Sequence, residues 1–144
     1  MMISTRGRYA LRVMIDLAEQ SGGRYIPMKE IAARQEISLK YIERIMPALV
    51  KGGLVEGVQG KGGGYRLNRP PKEYSIGEIL RLAEGGLMPV ACVECGGEPC
   101  GRTEHCRTRP VWAELDRIIN DYLDGVTIAD LMLEEATGEV PHVQ

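Results

Sequence analysis

The chain has 144 residues, 44% of them hydrophobic, which is the size and composition of one globular domain or of one small domain with an extension. It contains no run of about 18 apolar residues that could cross a membrane. Its first residues lack the apolar stretch and cleavage site of a secretory signal. We therefore expect a cytoplasmic protein whose thiols stay reduced, which argues against structural disulfides.

Charge is distributed unevenly along the chain. Residues 1–72 contain 13 Lys and Arg against 6 Asp and Glu, a net charge of +7, whereas residues 73–144 contain 5 against 14, a net charge of −9. A basic region favours contact with nucleic acid, and an acidic region avoids it. We accordingly expect a DNA-binding region, 1–72, and a second region, 73–144, which form one compact unit.

The first predicted helix lies in the basic half. Apolar residues at three- and four-residue spacing predict a helix that begins at Ser4 or Thr5 and ends near Gln20. Positive charges near a helix start oppose the helix dipole, and their presence here hints at a phosphate partner. The cations concerned are Arg6, Arg8 and Arg12.

Two shorter helices follow in the order of a helix-turn-helix. The pattern predicts one helix over about 28–35 and another from Leu39, capped by Ser38, to about Lys51. Pro47 falls inside the latter, where proline normally kinks or ends a helix. The exposed face of the second helix carries side chains that bind base edges and phosphates. In this part of the chain the candidate DNA contacts are Arg6, Met28, Ser38, Leu39, Lys40, Tyr41, Glu43 and Arg44.

A β-hairpin with a glycine-rich, cationic tip is predicted next. Two strand-like segments, 54–58 and 64–67, are joined by the sequence QGKGGG. A hairpin in this position turns a helix-turn-helix into a winged helix. Glycine permits close approach to a DNA backbone, and lysine supplies charge. The candidate contacts are Lys61, Gly62, Gly63 and Tyr65; their spacing is not that of a nucleotide-binding loop.

A predicted linker, 68–74, joins the basic half to the acidic half and is followed by a predicted helix that runs to about Glu84. Ser75 and Glu78 at its start have the spacing of a capping box. The following segment has three glycines and few apolar side chains, so it cannot fold by burying a core of its own. It contains all four cysteines of the chain, within fifteen residues: Cys92, Cys95, Cys100 and Cys106.

Four clustered thiols predict a metal centre, and three chemistries compete. Iron–sulfur clusters are commonly held by four cysteines, and the uneven spacing with glycines favours a loop around a cluster of [2Fe–2S] or [4Fe–4S] type. A closed zinc site of four cysteines is the alternative. A metal-free thiol sensor that oxidises to a disulfide is the third. Weaker ligand candidates are His105, Glu94, Glu98 and Glu104.

The last long pattern predicts a helix over about 110–124. We expect its apolar stripe to pack against the same helix of a second copy, because a two-fold dimer reads both half-sites of a pseudo-palindromic operator. Burial within one chain is the alternative. A short helix is predicted after Thr127, and the tail from Thr137 is expected to fray. The stripe consists of Trp112, Leu115, Ile118, Ile119, Tyr122 and Val126.

In this order, the segments STRGRYALRVMIDLA, IAARQEISLKYIERI, LVEGVQGKGGGYRL and SIGEIL, with the cysteines and RPVW behind them, resemble the IscR/NsrR/CymR family of bacterial winged-helix transcription regulators. The resemblance covers about residues 1–135. Its most specific parts are GRYA at 7–10, GGGY at 62–65 and the cysteines ahead of Trp112. It implies a homodimer, a long crossed dimerisation helix, and DNA contacts from the second helix of the motif and from the wing.

For the iron–sulfur members, the resemblance further implies a cluster near the dimerisation helix. Three cysteines hold it, and Cys92, Cys100 and Cys106 look like those three. The family's fourth ligand is a histidine after the last cysteine or an acid near the start of the first helix. This chain has Arg109 and Arg8 there. We therefore expect Cys95 to be the fourth ligand.

The function expected from the sequence is a dimeric DNA-binding transcription regulator, mainly α with a small β wing, whose operator affinity depends on the cluster or on another metal or thiol state. The alternatives are a zinc- or thiol-based regulator, a repressor of cysteine metabolism that acts with a partner enzyme, and a metal or cluster carrier. The sequence offers no nucleophile–base pair and only two histidines, so we do not expect an enzyme.

Overall fold

The computed structural model describes residues 2–20, 22–93 and 100–134. In these residues the fold is mainly helical with one two-stranded sheet, as predicted. Two short 3-10 turns, Pro71–Glu73 and Ala91–Val93, flank the fourth helix. None of the described helices is long and apolar enough to cross a membrane. The elements are α1 (Thr5–Gln20), α2 (Met28–Gln35), α3 (Leu39–Lys51), β1 (Val55–Val58), β2 (Gly64–Leu67), α4 (Ile76–Glu84), α5 (Arg109–Gly125) and α6 (Ile128–Glu134).

Helices α2 and α3 form the predicted helix-turn-helix. The chain reverses at Glu36, whose φ of 53° places it in the left-handed region and whose N–H bonds to the Ala32 carbonyl. Ile37 is buried immediately behind the turn. The Ser38 hydroxyl then accepts the Tyr41 N–H at 3.2 Å, which satisfies one of the unpaired donors at the start of α3. The start of α3 is therefore fixed by local capping, as the sequence predicts.

Helix α3 continues through Pro47 to Lys51. Proline cannot donate a backbone hydrogen bond, so one bond of the helix is missing there. The helix persists because its inner face is fully engaged in the core. That face is the one predicted from the sequence: Ile42, Ile45, Met46 and Leu49, each at most 2% exposed.

The wing is an antiparallel hairpin that is tied to the segment before α2. Its strands pair from Val55 opposite Leu67 to Val58 opposite Gly64, so β1 begins one residue later than predicted. Ile26 forms an isolated antiparallel β-bridge with Tyr65, in which the two residues exchange two backbone hydrogen bonds of 2.8 Å. The wing is thereby held at a fixed position beside the helix-turn-helix.

The main core combines residues from both halves of the sequence. Side chains of α1, α2, α3 and β1 pack with Tyr74, Ile79 and Ile128. The prediction of a linker over 68–74 is wrong at its end, because Tyr74 is fully buried and its hydroxyl donates to the Leu54 carbonyl at 2.8 Å. The burial of Tyr74 and the hydrogen bond of its hydroxyl could not be predicted from the spacing of apolar residues.

Helices α4 and α6 both begin at capping residues. The Ser75 hydroxyl accepts the Glu78 N–H at 3.0 Å, as predicted, while the Glu78 carboxylate pairs with Arg69 at 2.9 Å. Thr127 and Asp130 form a reciprocal capping box at the start of α6, with N–H···O distances of 2.8 and 3.2 Å. The predicted tail from Thr137 lies outside the described residues.

Candidate DNA-binding surface, exposed helix and cysteine segment

A cleft of about 420 Å³ lies between the start of α3 and the wing, and the start of α2 closes one side of it. We call it the α3–wing cleft; its lining comprises residues 27–29, Leu39, Glu43, 58–60 and 63–65. The structure thus brings together side chains that the sequence assigned to DNA from three separate segments. They are Met28, Leu39, Glu43, Gly63 and Tyr65.

Other candidate DNA contacts are exposed around the helix-turn-helix and the wing tip: Arg6, Ser38, Lys40, Arg44, Lys61 and Gly62. Tyr41 differs, because its ring is half-buried and packs edge-on against Tyr9 with centroids 5.1 Å apart. Arg12, which the sequence associated with phosphate, instead lies 5.2 Å from the Tyr9 ring and donates to Gln35 of α2. Tyr41 and Arg12 therefore both make contacts within the chain.

The glycines of the wing have a structural reason independent of DNA. A Cβ atom on Gly64 would collide with the Ile26 backbone, and φ there is 153°. A Cβ atom on Gly63 would meet the carbonyl of Val58. Gly60 and Gly62 both have φ in the left-handed region. The GGGY sequence is thus required for the hairpin to turn and to dock beside α2.

A buried acid joins α1 to the helix-turn-helix, and sequence reasoning missed it. Asp16 is 1% exposed. Arg34 donates to both its carboxylate oxygens, at 3.0 and 2.9 Å, and Gln35 donates to one at 3.1 Å. The Asp16 hydrogen bond raises the pKa of Arg34. The sequence did contain a signal for this contact: Asp16 lies on the apolar face of α1, between Val13 and Leu17. A carboxylate that is buried there requires a cationic partner.

Helix α5 contains no buried residue, although its sequence carries a long apolar stripe. Val111, Leu115, Ile118 and Tyr122 are 57%, 38%, 50% and 38% exposed. Their spacing of four, three and four places them on one face. Val111 was not among the predicted stripe residues; of those that were, Trp112 and Ile119 are half-buried. Val126 was assigned to this face wrongly: it follows α5 and is buried in a second core cluster with Ile76 and Leu80.

The described part of the cysteine segment lies against α5. Cys92 is half-buried in the turn Ala91–Val93, Cys100 is exposed, and Cys106 is half-buried three residues before α5. Cys95 lies outside the described residues. The described residues contain no group of three His, Cys, Asp or Glu side chains that could hold a metal ion. The predicted convergence of the thiols is therefore not observed within the part of the segment that the structure describes.

The environment of Cys106 nevertheless suits an anionic sulfur. Its Sγ lies 3.3 Å from the Thr108 hydroxyl. Hydrogen bonds from that hydroxyl and from the backbone N–H groups of Thr108 and Arg109 lower the pKa of Cys106. The Arg109 Nε is buried and lacks a hydrogen-bond partner in the described structure. A thiolate-ligated metal group, which carries negative charge, fits this donor-rich site chemically.

Helix α4 connects α5 with α1 through polar contacts of two of its side chains. At its last turn, the Glu84 carboxylate accepts the Ser4 N–H at 2.8 Å and the Ser4 hydroxyl at 2.7 Å, at the start of α1. Gly7 lies so close to this carboxylate that a side chain there would displace it. One turn earlier on α4, Arg81 donates to Asn120 of α5 at 2.9 Å and pairs with Asp124. The start of α1 and the end of α5 are thus linked through one helix.

A helix-turn-helix with a docked wing in the basic half of the chain defines the class of winged-helix DNA-binding proteins. Comparison with known families is consistent with that class: residues 3–134 match the Rrf2 model, described as an iron-dependent transcriptional regulator. The chain belongs to the Rrf2 family, which contains the IscR and CymR regulators. It is a transcriptional regulator and not an enzyme, as expected from the sequence.

Similar proteins include regulators with two different names. The chain is 34% identical to the HTH-type transcriptional regulator IscR of Aliivibrio salmonicida, over 97% of this chain and 82% of that protein. It is 36% identical to IscR of Vibrio cholerae, over 97% and 80%. Among solved structures, T. potens IscR matches with a TM-score of 0.76 at 32% identity, over 99% and 93%. CymR, the global cysteine regulator of B. subtilis, matches with a TM-score of 0.75 at 33% identity, over 92% and 97%.

Proposed function

We propose that the protein binds a pseudo-palindromic operator as a homodimer and that the metal or thiol state of its cysteine segment sets its affinity for DNA. The observation that carries the DNA part is the α3–wing cleft, where α2, α3 and the wing present side chains with base-reading chemistry. Exposed lysine and arginine outside the cleft supply attraction to phosphate. In this proposal residues 1–72 contact DNA, and residues 73–144 provide dimerisation and sensing, in the cytoplasm.

The exposed stripe of α5 supports the homodimer. Four large apolar side chains on one face of a 17-residue helix are costly to leave in water. The resemblance to dimeric regulators favours a second copy of the same helix as the covering partner. A two-fold axis at α5 would place two winged helices on one DNA molecule, which accounts for a pseudo-palindromic operator.

The four cysteines are the groups that would hold an iron–sulfur cluster, with Cys95 as the fourth ligand. A bound cluster supplies a redox-active group that is sensitive to oxidants. The hydrogen bonds that lower the pKa of Cys106 support an anionic ligand at the start of α5. The similarity to IscR proteins supports iron–sulfur chemistry, and zinc in a four-cysteine site remains the alternative.

The connection from the cysteine segment to DNA runs through this chain's own contacts. Cys106 touches Thr108, the residue that precedes α5, so any ligand that fixes the thiol also fixes the start of that helix. Arg81 joins α5 to α4, and Glu84 joins α4 to the start of α1. A change at the cysteines therefore has a continuous path of contacts to the helix that bears Arg6.

Anaerobic purification, an absorption spectrum, and iron, sulfide and zinc analysis of wild type, Cys95→Ala and His105→Ala test the metal part. We expect iron and sulfide with visible absorption in wild type and His105→Ala, and a changed spectrum or lower occupancy in Cys95→Ala. Colourless protein with stoichiometric zinc would overturn the cluster in favour of the zinc site. For the DNA part, we expect the wild type to enrich one sequence family from a random duplex library; failure to enrich any would contradict it.

A further inference from the structure

The α3–wing cleft combines one carboxylate with mainly apolar walls. Glu43 is its acid, Lys29 is its cation, and the lining contains no arginine. A DNA phosphate pressed into this space would meet the Glu43 carboxylate, and like charges repel. Base edges suit the cleft better, because a carboxylate accepts a hydrogen bond from the cytosine amino group and apolar side chains contact the thymine methyl group. The cleft chemistry therefore favours base edges over the phosphate backbone.

Leu39 is the apolar side chain best placed to read a base. It is the first residue of α3, and residues at the start of a recognition helix face base edges in the major groove. It is half-buried, lines the cleft, and belongs to neither hydrophobic core cluster of the described residues. The core therefore does not account for this leucine, whereas Met28 on the opposite wall also packs against the core.

The spacing of Leu39 and Glu43 sets what they can read together. Residues four apart on a helix lie on one face with Cβ atoms about 6 Å apart. Successive bases along a strand are about 3.4 Å apart, so the two side chains lie one or two base steps from each other. Glu43 would accept a hydrogen bond from one base, and Leu39 would meet the edge of a neighbour.

We propose that Leu39 is a specificity-determining residue that reads the 5-methyl group of a thymine one or two base steps from the base bound by Glu43. The proposal rests on the DNA-binding function proposed above and adds the chemical group that is recognised. Methyl recognition by an aliphatic side chain has no charge component, so it contributes to sequence preference without contributing to the salt dependence of binding.

The test replaces each thymine of a library-selected duplex by deoxyuridine, which removes only the methyl group. Dissociation constants are measured at one salt concentration for wild type, Leu39→Ala, Leu39→Val and Lys61→Ala. In wild type we expect one thymine per half-site whose replacement weakens binding by about fourfold, the factor for one buried methyl group. Leu39→Ala should abolish the loss of affinity on replacement of that thymine, and Leu39→Val should reduce the loss. Lys61→Ala should weaken binding to every duplex but retain the same loss at that thymine.

The outcomes separate this inference from the function on which it rests. If wild type binds the selected duplex tightly but Leu39→Ala and Leu39→Val leave every deoxyuridine effect unchanged, the role of Leu39 is refuted and the DNA-binding function stands. If wild type enriches no sequence from the library, both are refuted. Circular dichroism of the Leu39 variants checks that they fold, which we expect because this side chain lies outside the core clusters.

Discussion

Some cationic side chains of the basic half donate hydrogen bonds within the chain, and others do not. Arg12, Arg34, Arg66 and Arg69 donate to acceptors within the chain. By contrast, Arg6, Lys40, Arg44 and Lys61 are exposed and make no such contact in the described structure. Net charge alone therefore overstates the cations available to DNA. These four lie on α1, α3 and the wing tip, which are the elements that the proposal places on the operator.

Lys61→Ala and Glu43→Ala should affect DNA binding in different ways. Losing the Lys61 charge should weaken binding to every sequence and lower the slope of log affinity against log salt by about 0.9, the value for one phosphate contact. Losing the Glu43 carboxylate should mainly reduce specificity, measured as the affinity for selected DNA divided by the affinity for random DNA. Anisotropy titrations over a salt series measure both effects.

Lys72→Ala is the matched control for the Lys61 variant. It removes the same charge from the basic half, but Lys72 lies beyond the end of β2 that is distant from the wing tip. We expect it to leave the salt slope unchanged. Equal slopes for wild type and Lys61→Ala would remove the wing tip from the DNA interface.

Arg34→Ala should destabilise the fold more than its exposed position suggests. It would leave the buried Asp16 carboxylate with Gln35 alone. Removing one partner of a buried pair costs about 3–5 kcal/mol, and partial exposure of Arg34 places this case toward the lower end. Denaturant unfolding measures the loss. Adding Asp16→Ala should restore part of it, and a double variant as unstable as the sum of the single ones would contradict the pairing.

The wing depends on a backbone approach that only glycine allows. Gly64 combines a φ of 153° with backbone contact to Ile26, so Gly64→Ala should undock the hairpin from α2 and lower the free energy of unfolding by about 2–3 kcal/mol. Gly101→Ala is the control, because Gly101 has open space around its Cα. Thermal unfolding should separate the two variants by several degrees, and equal melting temperatures would contradict the docking role of Gly64.

Helices and hairpin could be predicted from the sequence because their determinants are local. Ser38, Ser75 and Thr127 cap the helices that they precede in the sequence, and the apolar spacing of α3 gave its buried face without error. The salt bridge of Asp16 could not be predicted, because Arg34 lies on another helix. The burial of Tyr74 could not be predicted for the same reason, because its hydroxyl donates to a carbonyl twenty residues away in the sequence.

The cysteine segment shows a different limit of sequence reasoning. Residue type and spacing predict thiolate chemistry, which stays a prediction. Ligand geometry would depend on the bound group, because the segment has too few apolar side chains to form a core. Two features of this region could not be predicted from the sequence. They are the contact of the Thr108 hydroxyl with Cys106 and the buried Arg109 Nε, which has no hydrogen-bond partner in the described residues. In the described structure, the backbone N–H of Arg109 is a hydrogen-bond donor to the thiol.

Assembly into a dimer should depend on the exposed stripe of α5. Ile118→Glu places a charge at its centre and should convert the protein to monomer, with operator affinity at least about a hundredfold lower because one half-site is lost. Analytical ultracentrifugation and anisotropy measure the two quantities. Ala113→Glu, on the opposite face of α5, is the matched control and should remain dimeric. A dimeric Ile118→Glu would exclude this face as the interface.

The central claim is that the cysteine segment and the DNA-binding surface are energetically coupled. The most direct test is the dissociation constant for the selected operator, measured anaerobically at one salt concentration before and after the bound metal is removed by chelation. Coupling between two such sites predicts a change of about tenfold or more, in either direction. Identical dissociation constants for the two forms, with metal loss verified by analysis, would contradict the account.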